Sequence, residues 1–119
     1  MSNFRNLIVW QKAMTLVTNV YQATQHLPRE ESFGLTSQIR RSSISIPSNI
    51  AEGYGRNSDT ELSRFLNITI GSLFELQTQL EIAYNIGYLN QELFNNLFDQ
   101  SREVEIMLSS LNKKVRSKN

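Results

Sequence analysis

The sequence has no cysteine and only one histidine, His26, among its 119 residues. The lack of cysteine excludes disulfides, cysteine–zinc sites and thiol nucleophiles, and a single histidine excludes two-histidine metal motifs. The longest apolar runs, such as residues 7–10, are much shorter than the ~18 residues of a membrane span, and too short for a signal peptide. We therefore expect a soluble cytoplasmic protein that has no membrane partner.

Proline and glycine are also scarce, with two and five residues in the chain, whereas average usage gives about 14 together. A β-sandwich or barrel needs these residues in its turns, so that class is disfavoured. Hydrophobic residues make up 39% and charged residues 19%, a composition that can bury a core. The length fits one domain, residues 1–119.

The spacing of apolar residues predicts four helices, over residues 7–27, 34–54, 59–86 and 90–116. The first helix carries two adjacent apolar stripes, with Asn6 as its expected N-cap and Pro28 as its stop. No strand alternation or internal repeat is present, and the short connections favour antiparallel neighbours. The sequence thus predicts an all-α, up-down-up-down four-helix bundle.

Pro47 lies inside the second predicted helix and removes the usual hydrogen-bond donor to the carbonyl of Ser43. We expect a kink there, with serine hydroxyls or water serving the freed carbonyl. Gly53 and Gly55 are expected to end this helix, since glycine readily adopts the left-handed cap conformation.

The third helix has a clear start in Ser58 and Glu61, which form a capping-box pattern. Its apolar stripe has heptad spacing and comprises Leu62, Leu66, Thr69, Leu73, Leu76, Leu80 and Ala83. Gly71 lies midway and is expected to let another backbone approach closely. Gly87 closes the helix, and Asn90 is the expected cap of the fourth.

The glutamates of such a bundle raise the question of a di-metal carboxylate site. Sites of this kind need a Glu-x-x-His pair on each of two helices, and no histidine follows a glutamate at that spacing. Ser-rich residues 42–48 lack a partnering base, and His26 fits a capping role at a helix end. We therefore expect that the protein is not an enzyme and that it binds neither a metal nor a cofactor.

Four polar residues in the middle of the second and third helices, Asn49, Glu52, Glu75 and Gln79, form a buried network if they face each other. Such a network sets helix register; the alternative is a ligand site built on its carboxylates. The acidic third helix is also expected to pair with Arg40 and Arg41, within one subunit or between subunits.

Basic residues are the main indication of an external partner. The candidates for contact with RNA or DNA phosphates are Arg40, Arg41, Arg56, Lys113, Lys114, Arg116 and Lys118. The alternative is that the two neighbouring arginines form ion pairs and that the C-terminal cations are a solvated helix end. The net charge of +1 is only weakly basic.

Four blocks of the chain together resemble a known family. They are residues 7–14 (LIVWQKAM), 34–41 (GLTSQIRR), 45–53 (SIPSNIAEG) and 71–80 (GSLFELQTQL). In this order they resemble the four-helix bundle proteins first noted in 23S rRNA intervening sequences, also called the S23 family. The likeness extends from about Phe4 to Leu89.

The resemblance implies a ring-shaped homopentamer without enzymatic activity. A related branch, the accessory variability proteins of diversity-generating retroelements, uses a strongly basic surface to bind nucleic acid and a reverse transcriptase, which are the further partners implied. Independently, the two stripes of the first helix, and Phe94 and Phe98 on the fourth, exceed what one small bundle buries. Our first hypothesis is a homo-oligomeric scaffold or binding module, and the second is an RNA- or DNA-binding accessory protein.

Overall fold

The computed structural model describes residues 3–117, and in these residues four helices pack around one core. They are α1 (Ile8–Thr24), α2 (Leu35–Tyr54), α3 (Asp59–Asn85) and α4 (Gln91–Ser117). Each helix packs against the next along the chain, and α1 packs against α4. The described residues contain no strand, and the bundle is 46 Å long. The predicted all-α four-helix bundle is confirmed.

The two apolar stripes of α1 have different environments. Val9, Ala13, Leu16 and Val20 of the inner stripe are buried, whereas Met14 of the outer stripe is 42% exposed. In α3 the predicted heptad stripe is buried from Leu66 to Ala83. The heptad positions therefore define the core side of α3, and α1 keeps an apolar outer stripe.

The predicted caps of α3 and α4 are largely confirmed. Ser58 Oγ accepts a hydrogen bond from the Glu61 amide at 3.1 Å, and Asn90 Oδ1 accepts one from the Leu93 amide at 2.8 Å. The Glu61 carboxylate, however, accepts hydrogen bonds from the Arg64 guanidinium at 3.1 Å instead of reaching back to Ser58. Only half of the capping box is formed, because an arginine one turn away competes for the carboxylate.

The expected N-cap of α1 is wrong. Asn6 lies within a short 3₁₀ turn, Phe4–Asn6, and Leu7 precedes the first residue of α1 without a side-chain cap. The capping asparagine is Asn3, which accepts from the Arg5 amide at 2.9 Å. The cap is displaced because the 3₁₀ turn takes up the residues just before α1.

Gly53, and not Gly71, marks a close approach of two helices. A Cβ on Gly71 would have nothing within 4 Å, so that expectation is wrong; the neighbouring Ser72 faces the interior. A Cβ on Gly53 would lie 2.9 Å from Phe65 Cβ and 3.1 Å from Leu62 Cδ1. Small size at Gly53 is therefore what lets α2 and α3 meet.

The expected left-handed cap of α2 is also wrong. Gly53 lies inside the helix, and Gly55 follows it with φ −83°, an ordinary right-handed value. A positive φ occurs among the described residues at Gly87, with φ 88°. There it ends α3 as predicted, in a conformation that glycine adopts at little cost.

α2 continues without interruption through Pro47, and the kink at this residue stays a prediction. The serine hydroxyls do not serve the freed carbonyl of Ser43: Ser42 donates to the Ile39 carbonyl and Ser43 to the Arg40 carbonyl. A helical serine reaches the carbonyl three or four residues earlier. The carbonyl of Ser43 has no serine at that distance, because residues 46 and 47 lack a hydroxyl.

Candidate functional site

Two separate sets of hydrogen bonds cross the boundary between α2 and α3. Ser42 Oγ donates to Gln79 Oε1 at 2.7 Å. Farther along α2, the hydroxyls of Ser45 and Ser72 share a short hydrogen bond, and Asn49 Nδ2 donates to the Ser45 carbonyl at 2.8 Å. Asn49 and Gln79 thus contribute to the α2–α3 packing, as partners of serines.

The single buried network of four residues is not formed. Glu52 is exposed and pairs with Arg56 at 2.7 Å, and Glu75 is exposed without a hydrogen bond or ion pair to any other described residue. A helix turns about 100° per residue, so the step from Asn49 to Glu52 carries the carboxylate off the helix boundary. Glu75 lines a pocket between α2 and α3 together with Gln79, so the alternative of a ligand site stays a prediction.

The structure contains a set of hydrogen-bonded polar residues between α3 and α4 that the sequence analysis did not predict. Asn112 is 5% exposed; its Oδ1 accepts from Ser63 Oγ and its Nδ2 donates to Asn67 Oδ1, both at 2.8 Å. Gln77 Nε2 reaches Glu105 Oε1 at 3.0 Å on the same side. The available signal was polar residues interrupting the apolar stripe of α4, at Asn112 above all.

Arg40 and Arg41 are adjacent in sequence but have different environments. Arg40 donates to Thr24 Oγ1 at 2.9 Å, and its guanidinium lies 4.5 Å from the ring centroid of Tyr21. It therefore joins α2 to α1 instead of pairing with the acidic α3, which corrects that expectation. Arg41 is exposed and makes no ion pair within residues 3–117.

The other basic candidates converge on one end of the bundle, where α2 and α4 end and α3 begins. Arg56 and Lys114 line the same pocket there, about 760 Å³ in volume, with apolar residues such as Leu62 and Val115. Lys113 and Arg116 are exposed on the adjoining turn of α4. Lys118 lies outside the described residues. The fold thus brings Arg56 and the C-terminal cations together and leaves Arg40 and Arg41 elsewhere.

Ion pairs with glutamates neutralise part of the positive charge at this basic end. Arg56 binds Glu52, and its guanidinium lies 5.0 Å from the centroid of the Phe65 ring. Glu61 accepts hydrogen bonds from Arg64, which lowers the pKa of that carboxyl below its usual value. Lys113, Lys114 and Arg116 have no such pairing among the described residues, so they are the cations best placed for an external anion.

An apolar groove of about 400 Å³ runs along the boundary of α1 and α2. Its lining includes Trp10, Met14 and Val17 from the outer stripe of α1, with Ile44 and Pro47 from α2. The ring of Phe4 packs edge-on against Trp10 with their centroids 5.2 Å apart. The second apolar stripe of α1, read from sequence, is therefore the wall of an open groove.

The aromatic residues of α4 are partly used inside the chain. Phe94 stacks on Tyr84 of α3, with centroids 4.8 Å apart, and Phe98 lies 5.4 Å from Phe94. Phe94 and Phe98 are consequently half-buried. The expected surplus of apolar surface on α4 is smaller than the sequence pattern indicates, since α3 covers part of it.

Within residues 3–117, no three histidine, cysteine or acidic side chains are placed to hold a metal ion. None of the helices described is long and apolar enough to cross a membrane. His26 is exposed and lines a shallow pocket between α1 and α4, beside Asn19 and Gln100, whose side chains share a 3.0 Å hydrogen bond.

Comparison with known proteins places the fold and its sequence blocks in one family. The model of the family described as 23S rRNA-intervening sequence protein matches residues 5–110. The chain belongs to this family. A similar solved structure is the 1.70 Å crystal structure of an S23 ribosomal protein family member of unknown function from Bacteroides thetaiotaomicron VPI-5482. It is 25% identical, with a TM-score of 0.83 over 89% of this chain and 99% of that one. No curated protein matches this S23 family chain.

Proposed function

We propose that this S23 family protein is a non-catalytic homo-oligomeric module that assembles into a ring-shaped pentamer and acts as a scaffold or binding module. The observation that carries the proposal is the apolar surface left open on the sides of the bundle. Ten large apolar side chains among the described residues are exposed, from 38% for Leu93 to 100% for Phe33.

The α1–α2 groove supports self-association more strongly than scattered apolar residues do. Trp10, Met14, Val17, Ile44 and Pro47 line one groove together, and apolar residues gathered in one patch mark interaction sites. The copy number of five comes from the family resemblance. Closed rings of identical chains form from head-to-tail contacts between two different faces, and this bundle offers different faces on its sides.

Light scattering after gel filtration tests the proposed assembly. At micromolar concentration we expect a mass five times the 13.7 kDa of one chain. Another multiple would keep the self-association and correct the copy number. The mass of a single chain would contradict the proposal.

A second candidate function, RNA or DNA binding, is favoured by the basic end of the bundle. Arg56 and Lys114 line one pocket, and Lys113 and Arg116 are exposed beside it. In a ring this cluster is repeated in every copy, which multiplies the phosphate contacts that a single bundle offers.

Fluorescence anisotropy with a structured RNA, at about 50 and about 200 mM salt, tests this candidate. We expect binding that weakens steeply with salt and is lost when Lys113, Lys114 and Arg116 are all replaced by alanine. The matched control replaces Lys12, Arg29 and Arg102, which removes the same charge elsewhere. No binding at the lower salt, or equal loss in both variants, would contradict a site at this end.

A further inference from the structure

A polar pocket of about 480 Å³ lies on the α2–α3 face of the bundle. Its volume is in the range of pockets that bind small molecules, roughly 300–1,000 Å³. Most such pockets are apolar, whereas seven of the eight described residues that line this one are polar or charged. The lining therefore fits a small ligand with polar groups of its own, and it disfavours a lipid or another apolar molecule.

Two of the lining residues carry opposite charges that are not paired. Arg41 of α2 and Glu75 of α3 are both exposed, and neither forms an ion pair within residues 3–117. A pocket with one cation and one anion suits a ligand that carries both signs of charge. A phosphate or another simple anion would be repelled by Glu75, and a metal cation would be repelled by Arg41.

Hydrogen bonds within the chain show how these two charges are placed. Ser42 Oγ of α2 donates to Gln79 Oε1 of α3 at 2.7 Å. About one turn farther along α2, the hydroxyl of Ser45 bonds to that of Ser72. The glutamate of the pocket lies between Ser72 and Gln79 on α3, so it is level with this stretch of α2. The arginine directly precedes Ser42, which places the two charges about one helical turn or less apart along the bundle axis.

The amide of Gln79 supplies neutral hydrogen-bond donors near the arginine. Its Oε1 accepts the hydrogen bond from Ser42, whereas its Nε2 donates to no other described residue. The bond from Ser42 thus holds the carbonyl end of the amide toward α2 and leaves the two N–H donors for a ligand. These donors and the fork of donors on the Arg41 guanidinium are both suited to a carboxylate.

We propose that this pocket binds a free α-amino acid, whose carboxylate contacts Arg41 and Gln79 and whose ammonium group contacts Glu75. In such a molecule a single carbon atom separates the two charged groups. Each end forms charge-assisted hydrogen bonds of about 2.8 Å, so the ligand joins two side chains that do not pair directly. The inference goes beyond the proposed function and does not depend on the number of copies that assemble.

Phe33 adds a preference for the side chain of the ligand. It is the one apolar residue among the described residues of the lining, and it is 100% exposed. It lies just before α2, on the arginine side of the pocket. An apolar ligand side chain that covers this ring removes apolar surface of both from water. The pocket should therefore bind free leucine more tightly than free glycine.

The first experiment measures the binding of three related molecules to the 119-residue chain by isothermal titration calorimetry. Free L-leucine carries both charges, leucinamide lacks the carboxylate, and N-acetylleucine lacks the ammonium group. We expect saturable binding of leucine that weakens about ten- to hundredfold when either charge is removed, because one set of charged hydrogen bonds is lost. No saturable binding of leucine up to about 10 mM, or equal binding of all three molecules, would overturn the inference.

Removing one protein charge at a time assigns the two ends of the ligand. Arg41→Gln should remove the preference for leucine over leucinamide and keep the preference over N-acetylleucine. Glu75→Gln should do the reverse, because each charge of the pocket then lacks a different partner. Both residues are exposed, so the fold should tolerate either change. If each variant loses both preferences, or keeps both, the assigned contacts are wrong.

A matched control removes the same two kinds of charge on another side of the bundle. Lys12 of α1 and Glu103 of α4 form an exposed ion pair at 3.0 Å, and neither lines the pocket. The protein with Lys12→Gln and Glu103→Gln should bind leucine, leucinamide and N-acetylleucine as the parent protein does. A loss of leucine binding as large as that of the pocket variants would overturn the site.

Phe33→Ser tests the side-chain preference separately from the charges. We expect this variant to bind free leucine and free glycine with similar affinity, while it still discriminates against leucinamide and N-acetylleucine. The ring is fully exposed, so its removal should not disturb the core. An unchanged preference for leucine over glycine would contradict the contact with Phe33.

Discussion

The α2–α3 boundary and the α1–α2 boundary are built from different kinds of residue. Between α2 and α3, Gly53 lies against Phe65, and the hydroxyls of Ser45 and Ser72 bond to each other. Between α1 and α2, Arg40 joins the two helices by a hydrogen bond to Thr24, and large side chains such as Trp10 line an open groove. Small residues let two helices approach closely, and small polar residues such as serine then form hydrogen bonds across the boundary. Large apolar residues at a groove leave apolar surface exposed.

The largest effect is expected from filling the space at Gly53. Its Cβ would lie 2.9 Å from Phe65 Cβ, so Gly53→Leu must force α2 and α3 apart. We expect the free energy of unfolding to fall by about 3 kcal/mol, at the upper end of overpacking costs. Urea unfolding followed by circular dichroism measures the loss.

Gly71 provides a matched control on the outer side of α3. It is exposed, and an added Cβ would have nothing within 4 Å, so Gly71→Ala should stabilise the helix by about 0.5–1 kcal/mol. Gly53→Ala should instead destabilise the protein, because the added methyl contacts Phe65. Equal stabilisation by both alanines would show that the α2–α3 boundary is looser than the distances indicate.

A medium effect on stability is expected from the hydroxyl pair of Ser45 and Ser72 at the α2–α3 boundary. Ser72 is 7% exposed, so Ser45→Ala leaves its hydroxyl buried and without its partner. We expect a loss of about 1 kcal/mol in the free energy of unfolding for each single alanine. The double variant should cost less than the sum of the two, since both polar groups are then removed together. Strictly additive losses would contradict a direct bond.

The four helices and the core stripe of α3 were predictable from sequence because strong apolar periodicity defines them. The orientations of single polar residues were not. Glu52 and Glu75 are exposed, although they lie three and four residues from Asn49 and Gln79, because those steps turn the carboxylates about 60° and about 40° around their helices. Gly71 was likewise predicted to mark a close contact, which Gly53 makes instead. Which side of a helix faces a neighbour depends on packing with the other helices, and single-residue patterns do not contain that information.

The candidate surfaces were predictable to a similar extent. The second apolar stripe of α1 predicts an apolar face outside the core, but its pattern does not contain the groove that α2 completes. The C-terminal cations were identified as a group, but their proximity to Arg56 depends on the antiparallel packing of α2 and α4. The separate roles of Arg40 and Arg41 depend on the rotation of α2, which places one guanidinium on Tyr21 and leaves the other exposed.

A small effect on folding is expected at the open α1–α2 boundary. Met14 is 42% exposed in the groove, so Met14→Ser should change the monomer's free energy of unfolding by about 0.5 kcal/mol or less. The same change should weaken the proposed self-association, because it replaces an exposed apolar side chain of the groove with a hydroxyl. Urea unfolding at low concentration and light scattering at high concentration separate the two. A large loss of monomer stability would assign the groove to the fold instead.

The smallest effect is expected in the alkaline range, from Tyr54 at the end of α2. Partial burial of this phenol raises its pKa above the usual tyrosine value of 10.0. A raised pKa in the folded state gives stability that is present below the unfolded pKa and is lost as pH rises through the folded pKa. We therefore expect stability to fall above pH 10 more steeply in the parent protein than in Tyr54→Phe. The absorbance of tyrosinate, compared between the parent protein and Tyr54→Phe, gives the pKa of Tyr54 in the folded and in the unfolded state. Ionisation of Tyr54 at its ordinary pKa would show that the end of α2 is open to water, unlike the part of the α2–α3 boundary closed by Gly53 and the serine pair.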